Sequence, residues 1–341
     1  MVRDRPHAPP FPRREGGWFG RAAPLVGPGL VCRHPAYRLT RKQPFWLSCG
    51  VPSPLEHVSI ALGVVAALSM DHAGAFFAGA IAPDVDKLLG RPRATTHWWL
   101  PGSDLSGALR LCAARPSLMH WPTQSTAQAF VAGYLCHLVT DEQWTLRIYR
   151  PYFGKHSPFQ GGPGGADHQL ALQGMLDTTL VNSGVLRPAV SELTKFGDVE
   201  ALARCVLGMT SDDATALDRF VRSVLRRAEE PSPVERLRMM GEARDAERAL
   251  VLEPNSPHPG RPLHPRTTDS QEALDAFVAR LPALDAAVSQ LVVPEAVETF
   301  RDHAISASRK LVREFLAGLA LTPPPGTAEA PYFASPARTD L

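Results

Sequence analysis

The sequence predicts an all-α fold, a multi-helix bundle. Three observations predict it. Apolar residues recur at helical spacing through long segments. Ser53-Pro-Leu-Glu56 and Ser232-Pro-Val-Glu235 both read as capping boxes with proline at the first helical position. No stretch of any length shows the alternation of a half-buried strand.

The elements follow in order. Residues 1–50 are rich in Pro, Arg and Gly without periodicity, the composition of a disordered extension. One reading makes Val51 the true start, read from a GTG codon; the other keeps a genuine extension. A first helix is expected over 54–69, and a second through 73–81, stopped by Pro83. Residues 83–123 read as Pro-rich loop with a short helix near 104–114. A long helix covers 124–148, and a loop runs from Arg150 to Gly165. Further helices are expected at 167–181, 189–208, 211–229 and from Ser232, then a Pro-rich connection over 252–268. Helices at 270–291 and 294–320 close the domain, taken as 51–322, and 323–341 reads as a disordered tail.

Bulk composition narrows the function. Hydrophobic residues make up 44% of the 341, enough for a sizeable core. The net charge of +2 points away from stable nucleic-acid binding. Five cysteines at scattered spacings, without a CxxC, argue against a disulfide framework and for a reducing, cytoplasmic setting. No apolar stretch is long enough to span a bilayer, and the N-terminus has no apolar signal core.

The chemistry concentrates in the first half. His137 and Asp141 sit four residues apart in Phe130-Val-Ala-Gly-Tyr-Leu-Cys-His-Leu-Val-Thr-Asp141. That step stacks both side chains on one face of a helix that is otherwise apolar. A buried carboxylate needs a partner, so the pair is either mutually hydrogen-bonded or ligates a metal. Cys136 points about 100° away and reads as core. Upstream, His57 lies in the first turn of the first helix, Asp84 and Asp86 follow the second, and His97 sits in Thr96-His-Trp-Trp99. Taken singly, these are a core histidine, turn aspartates and part of an aromatic loop. Together they are the nitrogen and oxygen donor set of a zinc site, and helical bundles assemble such sites in their cores.

Four strings in order, Pro52-Ser-Pro-Leu-Glu-His57, Gly79-Ala-Ile-Ala-Pro-Asp-Val-Asp86, Arg93-Ala-Thr-Thr-His97 and Gly133-Tyr-Leu-Cys-His-Leu-Val-Thr-Asp141, resemble the zinc-dependent phospholipase C family. Its superfamily includes secreted bacterial phospholipases C and fungal single-strand nucleases. The resemblance covers roughly 51–182. It implies one zinc site from Asp84, His97, His137 and Asp141, with Asp141 bridging to a second metal that His57 helps bind. It implies phosphodiester hydrolysis by a metal-activated water. Asp141 and Asp86 are then the carboxylates given to catalysis, Asp86 by orienting a histidine. The family's third metal uses an N-terminal Trp that has no counterpart here, so one or two ions are expected. His168, in Asp167-His-Gln-Leu-Ala-Leu-Gln-Gly-Met-Leu-Asp177, supplies a further histidine ligand; it and Asp177 lie about 180° apart on a straight helix.

The resulting expectation is a metal-dependent hydrolase acting on a phospholipid head group or another phosphodiester. Zinc is the favoured ion, with manganese or iron as alternatives. A nuclease of the same superfamily and a non-catalytic bundle stapled by metal are the competing readings. Residues 183–320 have no recognisable motif and would cover the site or form an oligomer interface.

Overall fold

A computed structural model of the chain describes residues 51–89, 93–98, 107–154, 156–159, 163–239, 271–319 and 321. The expected extension 1–50, the connection 252–268 with His258 and His264, and the tail 323–341 lie outside the described residues. The fold is all-α, with no strand among the described residues.

The helices are α1 (Pro54–Leu68), α2 (Ala73–Ile81), α3 (Asp86–Leu89), α4 (Ala94–His97) and α5 (Gly107–Ala114). Then come α6 (Thr126–Trp144), α7 (Pro163–Ser183), α8 (Arg187–Lys195), α9 (Val199–Leu207) and α10 (Ser211–Glu229). Residues 233–239 form α11, and α12 (Gln271–Leu291) and α13 (Pro294–Leu316) complete the set. A 3-10 turn, Ala82–Val85, joins α2 to α3, and a π-helix, Thr145–Phe153, prolongs α6.

Helix α6 is the centre. It is buried on every face, as its lack of a polar side demands. Ser125 caps it, its hydroxyl accepting the Gln128 N–H at 3.1 Å. Helices α2 and α13 pack along it most extensively, with α1 and α5 beside them. Trp144 of α6 meets Phe300 of α13 edge-on, ring centroids 5.3 Å apart.

The α2–α6 crossing is unusually close. A Cβ on Gly79 would stand 2.0 Å from the Phe130 carbonyl oxygen, and one on Gly133 would stand 1.9 Å from the Phe76 oxygen. Two facing glycines therefore let the backbones touch, and no larger residue fits at either position.

Three sequence expectations are corrected. The single helix at 189–208 is two, α8 and α9, broken at Phe196-Gly197-Asp198. Phe196 turns extended and ends α8, and α9 starts after Asp198 without a side-chain capping bond. The loop from Arg150 to Gly165 is shorter, because the π-helix reaches Phe153 despite Pro151 and α7 starts at Pro163. Proline at a first helical position is the signal that marks that start. The capping box at α1 closes on one side only. Ser53 accepts the Glu56 N–H at 3.1 Å, but the Glu56 carboxylate takes Arg301 of α13 instead, at 2.6 and 2.8 Å.

Candidate metal centre

Four stretches of chain deliver the centre. Helix α1 presents His57 from its first turn. The 3-10 turn and the start of α3 present Asp84 and Asp86. The last residue of α4 is His97, and α6 presents His137 and Asp141. All six side chains are buried. They form three overlapping groups with ligand atoms mutually within 4.8 Å: His57, Asp84 and His137; His97, His137 and Asp141; Asp84, Asp86 and His97. Six of the seven residues expected from the sequence thus meet in one place.

His168 is the exception and is corrected. It joins none of these groups, and its ring stacks on Phe159 with centroids 4.3 Å apart. Because α7 begins at Pro163, His168 lies inside that helix on a half-buried side facing Phe159. Asp177, further along α7, also lies elsewhere. It accepts the Ser53 hydroxyl and the Arg227 guanidinium, the latter at 3.0 Å, which ties α7 and α10 to the start of α1. Burial drives the Asp177 pKa up against those two partners.

The orientation of each histidine has a local cause. His137 Nδ1–H donates to the Ala80 carbonyl at 2.8 Å. Pro83 has no N–H to offer that carbonyl in the 3-10 register, and the glycine contact brings α6 close enough for His137 to reach it. With Nδ1 engaged there, the ring turns Nε2 to the centre. His97 Nε2 lies 3.1 Å from His137 Nε2. On its other side His97 Nδ1 meets the Thr96 hydroxyl at 2.8 Å and Asp86 Oδ2 at 3.5 Å. Asp84 Oδ1 lies 3.5 Å from His97 Nε2. The two aspartates of Asp84-Val-Asp86 therefore address the two nitrogens of one ring. The Tyr134 hydroxyl of α6 donates to the Thr96 carbonyl and holds α4 in place.

Asp141 faces two ways. Its Oδ1 lies 3.3 Å from His57 Nε2, and its Oδ2 lies 3.4 Å from His97 Nε2 and 3.5 Å from His137 Nε2. The His57 and His137 rings stack, centroids 3.7 Å apart and 12° from parallel. His57 Nε2 and Asp141 Oδ1 are close but not aligned as a hydrogen bond, and His57 Nδ1 has no hydrogen-bond partner, although all three atoms are buried. Buried polar atoms are almost always paired, so such atoms fit a cluster that could hold a metal ion.

The electrostatics agree with a cation site. Burial, with the His137 ring beside it, lowers the His57 pKa to about 4, so that ring is a neutral donor at physiological pH. Burial opposes ionisation of Asp141, but the Arg93 guanidinium and His137 outweigh it and hold the carboxyl well below its ordinary value. Burial and Arg93 push the His97 pKa down, yet Asp86 and Asp84 prevail and the net direction is up. Once the rings give up any proton, as metal binding requires, three carboxylates (Asp84, Asp86, Asp141) stand against one guanidinium, a charge that favours a cation.

Arg93 is the residue that sequence reasoning missed. It stands immediately before α4, four residues before His97, and pairs with Asp141 Oδ2, its other terminal nitrogen 3.8 Å from Asp84 Oδ1. The spacing Arg93-Ala-Thr-Thr-His97 is the available signal, since residues four apart in a helical turn share a face. Two side chains of the centre keep some exposure, Arg93 at 17% and Asp141 at 12%, while His57 and His137 have none. Among the described residues, Arg93 and Asp141 are therefore the members of the centre nearest to solvent.

Cys136, next to His137, is buried, and burial pushes its thiol up to about 12, which keeps it an inert core residue. No single helix among the described residues is long and apolar enough to cross a membrane. No protein-family model, curated protein or solved structure matches the chain.

Proposed function

We propose that the protein is a metal-dependent hydrolase of phosphodiesters, similar to the zinc-dependent phospholipases C. The observation that carries the reading is the two-sided Asp141 carboxylate. One oxygen faces His57 and the other faces His97 and His137, the disposition a carboxylate needs to bridge two metal positions. His97, His137 and Asp84 would hold one ion with Asp141, and His57 would serve the second. Asp86 would orient His97 through Nδ1. Zinc suits this donor set, and when bound it would supply an activated water and positive charge for the phosphate.

The partial exposure of Arg93 and Asp141, with His57 and His137 fully enclosed, supports a catalytic site over a closed structural staple, because a reacting phosphate must reach the metal from one side. The net charge of +2 favours a small or lipid phosphodiester over a nucleic acid.

Elemental mass spectrometry of the purified chain tests the reading, beside His137→Ala and Asp141→Ala. Stoichiometric zinc that is lost in both variants is the expected result. Hydrolysis of bis(p-nitrophenyl) phosphate and of phosphatidylcholine, abolished by a chelator and restored by zinc, would then follow. A chain that takes up no metal and stays folded would overturn the proposal.

A further inference from the structure

We infer that Arg93 has two positions in the working cycle: it stands in for the cation in the metal-free centre, and it binds an anionic oxygen of the substrate in the metal-loaded one. This rests on the metal-centre reading above.

The geometry carries the first half. The Arg93 guanidinium pairs with Asp141 Oδ2 and reaches toward Asp84 Oδ1, and both carboxylates belong to the proposed ligand set. A carboxylate oxygen engaged by a guanidinium has less electron density to give a metal, and the two positive charges repel at this range. Metal and Arg93 therefore compete for the same carboxylates. The competition also protects the empty centre, since three buried carboxylates without a counter-ion would strain the fold.

The second half follows from where Arg93 can go. It is the more exposed member of its ion pair, 17% against 12% for Asp141, and so lies on the solvent side of the centre. It is fixed in the backbone just ahead of α4, whose position is held by Tyr134. Once displaced, the guanidinium remains within a side-chain length of the centre, on the side from which a phosphate would arrive. A planar fork of donors matches two phosphoryl oxygens, which a lysine ammonium cannot do.

The sign of one measurement separates this from a plain supporting role. A residue that only orients Asp141 would, when removed, weaken metal binding. A competitor would, when removed, tighten it. The full chain, as wild type, Arg93→Gln and Arg93→Lys, is stripped with chelator and titrated with zinc against a chromophoric competitor. The zinc-loaded forms are then titrated with inorganic phosphate by calorimetry. We expect Arg93→Gln to bind zinc about tenfold tighter and phosphate about tenfold more weakly, on the scale of one charged hydrogen bond. Arg93→Lys should fall between on both axes and serves as the test protein if the glutamine variant does not fold. Zinc binding that is unchanged or weaker in the variants overturns the inference, as does unchanged phosphate affinity. Failure of wild type and variants alike to bind zinc overturns the metal reading itself.

Discussion

The Ala80 carbonyl of α2 accepts the Nδ1–H of His137 of α6 at 2.8 Å, and this one bond sets which nitrogen His137 turns to the metal centre. It exists because Gly79 and Gly133 bring the two backbones into contact. A methyl group at either glycine would have to displace a helix, since its nearest neighbour is a carbonyl oxygen and not a flexible side chain. Gly133→Ala should cost about 1–3 kcal/mol or more in urea unfolding. It should also weaken zinc binding. A variant of wild-type stability would refute the close contact.

His57 serves one side of Asp141 only. His57→Ala should therefore remove one metal position and spare the group of His97, His137 and Asp141. Zinc stoichiometry by elemental analysis should fall without reaching zero, whereas Asp141→Ala, which removes the bridge, should abolish it. Equal loss in both variants would argue for a single shared ion.

Stability of the metal-free protein should depend on pH through two histidines in opposite windows. The folded pKa of His57 is depressed to about 4 from 6.5, so the unfolded chain binds the extra proton between those values. Its contribution is present above 6.5 and is lost as pH falls toward 4, an effect of about 3 kcal/mol. His97 has a raised folded pKa, so its contribution is present below 6.5 and is lost as pH rises through the folded value. Urea titrations of chelated protein should show both limbs, and His57→Gln should flatten the acid limb alone.

The pair Glu56–Arg301 should matter more than its distance from the chemistry suggests. Glu56 is buried beside His57, and its carboxylate has both oxygens on Arg301. Arg301→Ala leaves that charge without a partner and should cost about 3 kcal/mol or more. Adding Glu56→Gln should recover much of the loss. Denaturant midpoints of the single and double variants would decide it, and additivity would refute the pairing.

Much of the centre is legible in the chain's local patterns. The i, i+4 pair on an apolar helix has no reading as a solvated face, and both residues are buried in the centre as that pattern requires. Asp84 and Asp86 are legible because a proline stop follows an apolar helix there, although the 3-10 turn that splits them between the two nitrogens of His97 is not. His168 misleads because its neighbours have the right chemistry, while its helix turns it toward Phe159. Arg93 is hidden because a basic residue is an ordinary surface element until two aspartates are brought to it.

The sequence by itself determined the all-α class, the start of α1 and α2, and six donors of metal-ligand type. These follow from helical periodicity, capping residues and side-chain chemistry, which act over a few neighbouring positions. Tertiary structure alone decided that Asp141 has a different histidine side at each oxygen, that Arg93 is its counter-ion, and that the Ala80 carbonyl orients His137. Each of these joins segments from different helices. The last depends on how closely α2 and α6 approach, and that distance is set by two glycines whose partners lie about fifty residues or more away in the chain.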